Sequence, residues 1–105
     1  MTTTTPAVAL PPGADSVGDW EYDELPEIST AKIRVVRSPR RHIIGSPATV
    51  SVDAWQREDG TLLCADMNID LAEHPVNAAQ CRELAAHLLE LAPLLDTWSA
   101  EVSEE

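Results

Sequence analysis

An Asp59-Gly60 pair stands between two runs of alternating apolar and polar residues, Thr49 to Arg57 and Thr61 to Leu71. Asp-Gly suits the tight turns whose twist matches that of paired strands, so this segment is predicted to be a β-hairpin. A two-residue loop sets Glu58 against Thr61, and Gln56:Leu63, Ala54:Ala65, Val52:Met67 and Val50:Ile69 then fall opposite one another on one apolar face. The other face pairs Trp55:Cys64, Asp53:Asp66, Ser51:Asn68 and Thr49:Asp70. A slip of one residue would mix the two sets, so pattern and turn chemistry agree on the register.

The flanking elements follow from the same rules. Lys32-Ile33-Arg34-Val35-Val36-Arg37 is β-branched and alternating and predicts a strand, which Ser38-Pro39 breaks; His42–Ile44 is a further short strand or part of a connection. Asn77 with Gln80 three residues later forms a capping-box pattern. Cys81, Leu84, Ala85, Leu88, Leu91 and Ala92 then recur at helical spacing, with Cys81 expected as a small buried hydrophobe. Pro93 lacks the donor a helix interior needs, so the helix is expected to end or kink near Ala92, with Pro93–Trp98 as a further short turn. The fold class is therefore α+β: a small antiparallel sheet of three to four strands packed by one C-terminal helix, as a single domain over 31–98. Residues 99–105 are expected to fray. Residues 1–18, rich in Thr, Pro and Gly, hold too little apolar surface to offset ordering entropy and are expected to be a disordered tail.

Charge is segregated along the chain. The net charge of -11 divides into -6 over 1–30, +5 over 31–47 and -5 over each of 48–76 and 77–105. Some of the basic block, Lys32, Arg34, Arg37, Arg40 and Arg41, is expected to meet some of this acid. Residues 19–30 alternate acids with Trp20, Tyr22, Leu25 and Ile28, a pattern suited to lying extended in a groove bordered by Arg34, Arg37, Arg40 and Arg41. Docking on the chain's own domain is favoured over docking on another protein. Net acidity argues against direct nucleic-acid binding, since phosphate contacts need clustered bases on a positive face.

Two constellations invite chemistry. Asp53, Asp66, Asn68 and Asp70 share the second face of the hairpin, where facing carboxylates destabilise a sheet unless a cation is near. A salt-bridge network with Lys32 and Arg34 is favoured there over a divalent cation or an acid–base pair. Trp55 lies on the same face, and a large aromatic among polar groups marks a contact surface. The three histidines lack the i, i+4 spacing of a helical zinc site, and His87 is explained by its helix neighbours Glu83 and Glu90. Cys64 and Cys81 are expected to be reduced thiols of a cytoplasmic protein. No metal, cofactor or catalytic set is expected. No apolar run reaches the roughly 18 residues of a membrane span, and the Thr-rich start lacks the basic region of a signal peptide.

The Thr/Pro start, the hairpin ending Met67-Asn68-Ile69-Asp70-Leu71 and the helix running from Asn77 through Arg82-Glu83-Leu84-Ala85 to Leu89 resemble small uncharacterised accessory proteins of high-GC Gram-positive bacteria and their phages. In those a strand leads into a helix of the form A-x-x-R-E-L-A-x-x-L, and the likeness covers about residues 48–92. It implies no known activity and transfers no functional residues, and it favours a regulatory or mobile-element role. The expectation is a non-enzymatic, acidic protein-binding module, homodimeric through Trp55, with Trp20, Tyr22, Leu25, Arg34, Arg37, Arg40, Arg41 and Trp55 as partner-binding residues. The alternative is an inhibitor that imitates nucleic acid to occupy a DNA-binding protein.

Overall fold

The hairpin forms where the alternating pattern places it, but its turn is one residue longer than a two-residue loop. The computed structural model describes residues 8–22 and 32–102. In it β5 (Thr49–Arg57) and β6 (Leu62–Asp70) pair as Thr49:Asp70, Val50:Ile69, Val52:Met67, Asp53:Asp66, Ala54:Ala65 and Trp55:Cys64. Arg57 N–H donates to the Thr61 carbonyl (2.8 Å) and Gly60 N–H to the Arg57 carbonyl (2.9 Å), so Glu58, Asp59 and Gly60 are all loop. Gly60 sits at φ +95, in the left-handed region that side chains resist, while Asp59 is not at positive φ as a two-residue type I′ turn would require, so the three-residue loop is the one adopted. Asp59 secures the turn by accepting from the Thr61 N–H (2.9 Å) and hydroxyl (2.6 Å). The Thr61 hydroxyl, then its N–H, holds the Asp59 carboxyl below the usual range.

The extra loop residue would shift every pair, and a bulge cancels it. The register breaks between Trp55 and Gln56, where Leu63 is left without a partner and Gln56 faces Leu62 instead of Leu63. Leu62 is thereby turned onto the helix side, where it is wholly buried beside Gln56.

β3 (Lys32–Arg37) pairs with the 53–57 half of β5, and β4 (Arg41–His42) takes up the same edge at Thr49 and Val50. Ser38 carries the ladder across the break between them. Its N–H donates to the Val52 carbonyl (2.9 Å), and its hydroxyl accepts from Val52 N–H (2.9 Å). The outer edge of β3 holds β1 (Ser16–Val17) and β2 (Glu21–Tyr22). The sheet is thus antiparallel and four ranks deep: β1 with β2, then β3 with β4, then β5, then β6. The α+β class matches the sequence reading, with six strand segments in place of three to four.

One helix, α1 (Ala78–Ala100), packs on β5 and β6. Asn77 and Gln80 form the expected capping box. The helix does not end at Pro93 but runs through it to Ala100. Pro93 forfeits about 3 kcal/mol of helix propensity. Beyond it, Leu94 and Leu95 are half-buried and Trp98 is wholly buried, and each large side chain so covered contributes roughly 1.5–3 kcal/mol. Continuation therefore wins. The core is Val36, Val50, Val52, Ala54 and Leu62 beneath Leu91 and Trp98. Cys81, Ala85 and Ala92 are exposed, contrary to the expected stripe, because the covered line runs Leu84, Leu88, Leu91, Leu95, Trp98.

Residues 8–18 are folded, which corrects the expected extent of the tail; residues 1–7 lie outside the described residues. The end of the segment, residues 15–18, pairs through the backbone with β3, where Asp15 N–H donates to the Arg37 carbonyl (3.0 Å) and Gly18 N–H to the Val35 carbonyl (2.9 Å), while residues 8–14 are held by side-chain donors and so show no periodicity. Arg34 Nη2 donates to the Val8 carbonyl (3.0 Å), Gln56 Nε2 to Ala9 (2.8 Å) and Trp98 Nε1 to Pro12 (2.7 Å). Pro11 is buried and Ala14 packs on the core. Gly13 is at φ +85, and a Cβ there would stand 2.8 Å from Leu94 Cδ1. Residues 99–102 are likewise ordered: the helix includes Ser99 and Ala100, and Val102 bridges Leu62. The folded unit therefore exceeds 31–98 at both ends.

Deleting residues 1–18 leaves the buried Trp98 N–H without its acceptor and uncovers Leu94, and is expected to lower unfolding free energy by at least about 2 kcal/mol. Gly13→Ala, strained at positive φ, should cost about 1–2 kcal/mol. Urea midpoints equal to that of the parent would contradict the docked segment.

Candidate functional site

Among the described residues no helix packs on the sheet face opposite α1, and the side chains of that face are placed by the pairing just described. Because alternate residues share a face, Ile33, Val35 and Arg37 of β3 lie beside Arg57, Trp55 and Asp53 of β5, and beyond them Cys64 and Asp66 of β6. An apolar row, Val35–Trp55–Cys64, thus crosses the sheet next to a charged row, Arg37–Asp53–Asp66.

Asp53 is the polar clamp of this face. Its Oδ1 accepts from Arg37 Nε (3.1 Å) and from the Ser51 hydroxyl (2.7 Å), and its Oδ2 accepts from Asn68 Nδ2 (3.1 Å). Three strands are tied through one carboxylate, which offsets the repulsion expected from Asp66 directly opposite. The compensating base is Arg37, not Lys32 and Arg34 as expected: residues 32, 34 and 36 share the helix side, and Arg34 Nε donates there to Gln56 Oε1 (2.8 Å). Asp70 accepts from the Ala72 N–H (2.8 Å). Among the described residues no group of three or more His, Cys, Asp and Glu is placed to hold a metal ion.

Two shallow grooves flank Val35 and Arg37. One, of about 350 Å³, is lined by Val35, Trp55, Cys64, Asp66 and Met67. The other, of about 570 Å³, is lined by Ser16, Gly18, Arg37, Pro39, Arg40 and His42. Trp55 is half-buried at the centre of the apolar row, beside the charged one, on the face the sequence assigned it. Arg40 and His42 are exposed at the rim.

The four arginines expected to border one groove do not converge. Arg34 lies 4.6 Å from the Trp20 ring centroid, so Trp20 stacks on the chain's own sheet. Arg37 takes Asp53, and Arg41 reaches the opposite face to pair with Glu90 of α1. Tyr22 pairs through its backbone with Lys32, and Leu25 lies outside the described residues. His87 is half-buried, with Glu83 at 3.5 Å from Nε2 but no aligned hydrogen bond to either ring nitrogen. Glu90 is committed to Arg41 and not to His87. Cys64 is half-buried and Cys81 exposed, both free thiols. Sequence reasoning missed Ser38 and Gln56, whose only signal was a polar residue at a core-facing position.

Among the described residues no helix is long and apolar enough to cross a membrane. Comparison with family models, with curated proteins and with solved structures finds no match.

Arg37→Ala removes a partly buried, charge-assisted bond and is expected to cost about 1–2 kcal/mol, whereas Arg40→Ala, exposed and without a bond among the described residues, should stay within about 0.5 kcal/mol. Equal chemical-denaturation midpoints for the two variants would remove Asp53 from its clamping role.

Proposed function

We propose that the protein is a non-enzymatic, acidic, cytoplasmic protein-binding module that engages its partner through the open sheet face. The observation that carries this reading is the position of Trp55: a large aromatic lining an uncovered groove, with Arg37 on one side and Asp66 on the other. Aromatics in such settings supply most of an interface's energy, while the charged rim sets orientation and excludes wrong partners. The partner this face suits offers an apolar side chain to the Val35–Trp55–Cys64 row and polar groups to the charged row. A regulatory accessory role, as the sequence resemblance implies, fits a module of this kind.

A second reading, imitation of a polyanion, is favoured by one fact: Arg34, Arg37 and Arg41 are engaged within the molecule, while Asp66 and Asp70 are exposed. Salt separates the two. Contact through an apolar row survives high ionic strength, whereas polyanion imitation weakens steeply with it. Affinity capture from the native host should retain a protein at 0.5 M NaCl that Trp55→Glu loses. If the captured proteins are identical for parent and Trp55→Glu, the open face is not the binding surface. If capture disappears with salt alone, the polyanion reading replaces it.

A further inference from the structure

Among the described residues the outer edge of β6 and the flank of α1 above it are bare together, and both can pair with their own copies. Among the described residues β6 pairs with β5 on one side only; on the other, Leu62 alone is bridged, by Val102. A nine-residue edge strand is ordinarily guarded by lysine, proline or a cover, and β6 has none of these beyond the Leu63 bulge. The helix adds to the exposure. Its Gln80, Glu83 and Glu90 side is turned to Ile44 and Arg41 at the opposite edge of the sheet. The flank carrying Ala85, Leu89 and Ala92 therefore overhangs β6. Leu89 is 76% exposed, and Ile69 of β6 is 44% exposed.

We infer that a second copy of this chain covers both, about a two-fold axis normal to the sheet, with β6 antiparallel to β6 and α1 antiparallel to α1. Charge selects the register. Centring the strands on Met67 sets Asp66 against Asn68 of the second copy and Asp70 against its Cys64. Centring on Asp66 or on Asn68 sets aspartate against aspartate. On the helices, Arg82 and Asp96 share the exposed flank and have no ion partner among the described residues. They are equally spaced either side of Leu89, so an axis through Leu89 brings Arg82 of each copy to Asp96 of the other.

One axis passes close to both centres. From the Leu62–Val102 bridge, Met67 lies about 16 Å along β6, and that height on an antiparallel helix is about eleven residues back from Val102, at Leu91, two residues or about 3 Å of rise from Leu89. The small side chains Ala85 and Ala92 allow the helices to approach. The result is one continuous sheet with two helices on one side and two Trp55 faces on the other, so the pairing is independent of what the open face binds. It also places the dimer on a different surface from the one Trp55 suggested in the sequence.

Sedimentation of the full chain at tens of micromolar should give a dimer. Leu89→Asp, at an exposed site, should yield a folded monomer by circular dichroism. Arg82→Glu faces two carboxylates and should weaken dimerisation at least tenfold, and Arg82→Glu with Asp96→Arg should restore it. A monomeric parent, a dimer indifferent to Leu89→Asp, or no rescue in the double charge reversal would overturn the inference.

Discussion

A wholly buried tryptophan closes this structure. Trp98 has no solvent to accept its indole proton, and an unpaired buried donor costs on the order of 1–3 kcal/mol. The acceptor is the Pro12 carbonyl, 86 positions away in the chain. The last turns of α1 can therefore be buried only if the N-terminal segment folds back over them, and α1, by continuing past Pro93, presents Trp98 to hold that segment at Pro12, alongside Arg34 at Val8 and Gln56 at Ala9. Leu62 completes the arrangement from beneath, turned inward by the bulge.

Width explains the division of faces. Four ranks of strand at about 4.8 Å span roughly 19 Å, and a helix is only about 10 Å across. One helix covers β5 and β6; β3 is covered by residues 8–14, which Arg34 and Gln56 hold in place. Nothing in the described residues remains for the other side of the sheet. The bare face with Trp55 and the bare edge of β6 both follow from having one helix for a four-rank sheet.

Much of the sheet was legible because its signal is periodic. Pairs from Thr49:Asp70 to Trp55:Cys64 were written from a two-residue Asp59-Gly60 loop, with alternation excluding a slip of one, and they stand because the bulge at Leu63 cancels the extra loop residue. The turn was misjudged by one residue because Asp59-Gly60 suits both loop lengths, and the choice depended on where Leu62 is buried. Residues 8–14 were illegible for a different reason: their order rests on single donors, from Trp98, Gln56 and Arg34, that only the tertiary fold brings near. The charges were legible as a block but not as pairs. Strand parity sends Arg34 and Arg37 to opposite faces, so the expected groove of four arginines divides, and Asp53 finds Arg37.

Hydrogen exchange at the Trp98 indole tests this account most directly. If the contact with Pro12 is part of the global fold, the indole proton exchanges only on complete unfolding, with the same opening free energy as the central amides of β5. An indole proton that exchanges rapidly while the β5 amides stay protected would show that the N-terminal segment opens by itself, and that Trp98 is not what closes the fold.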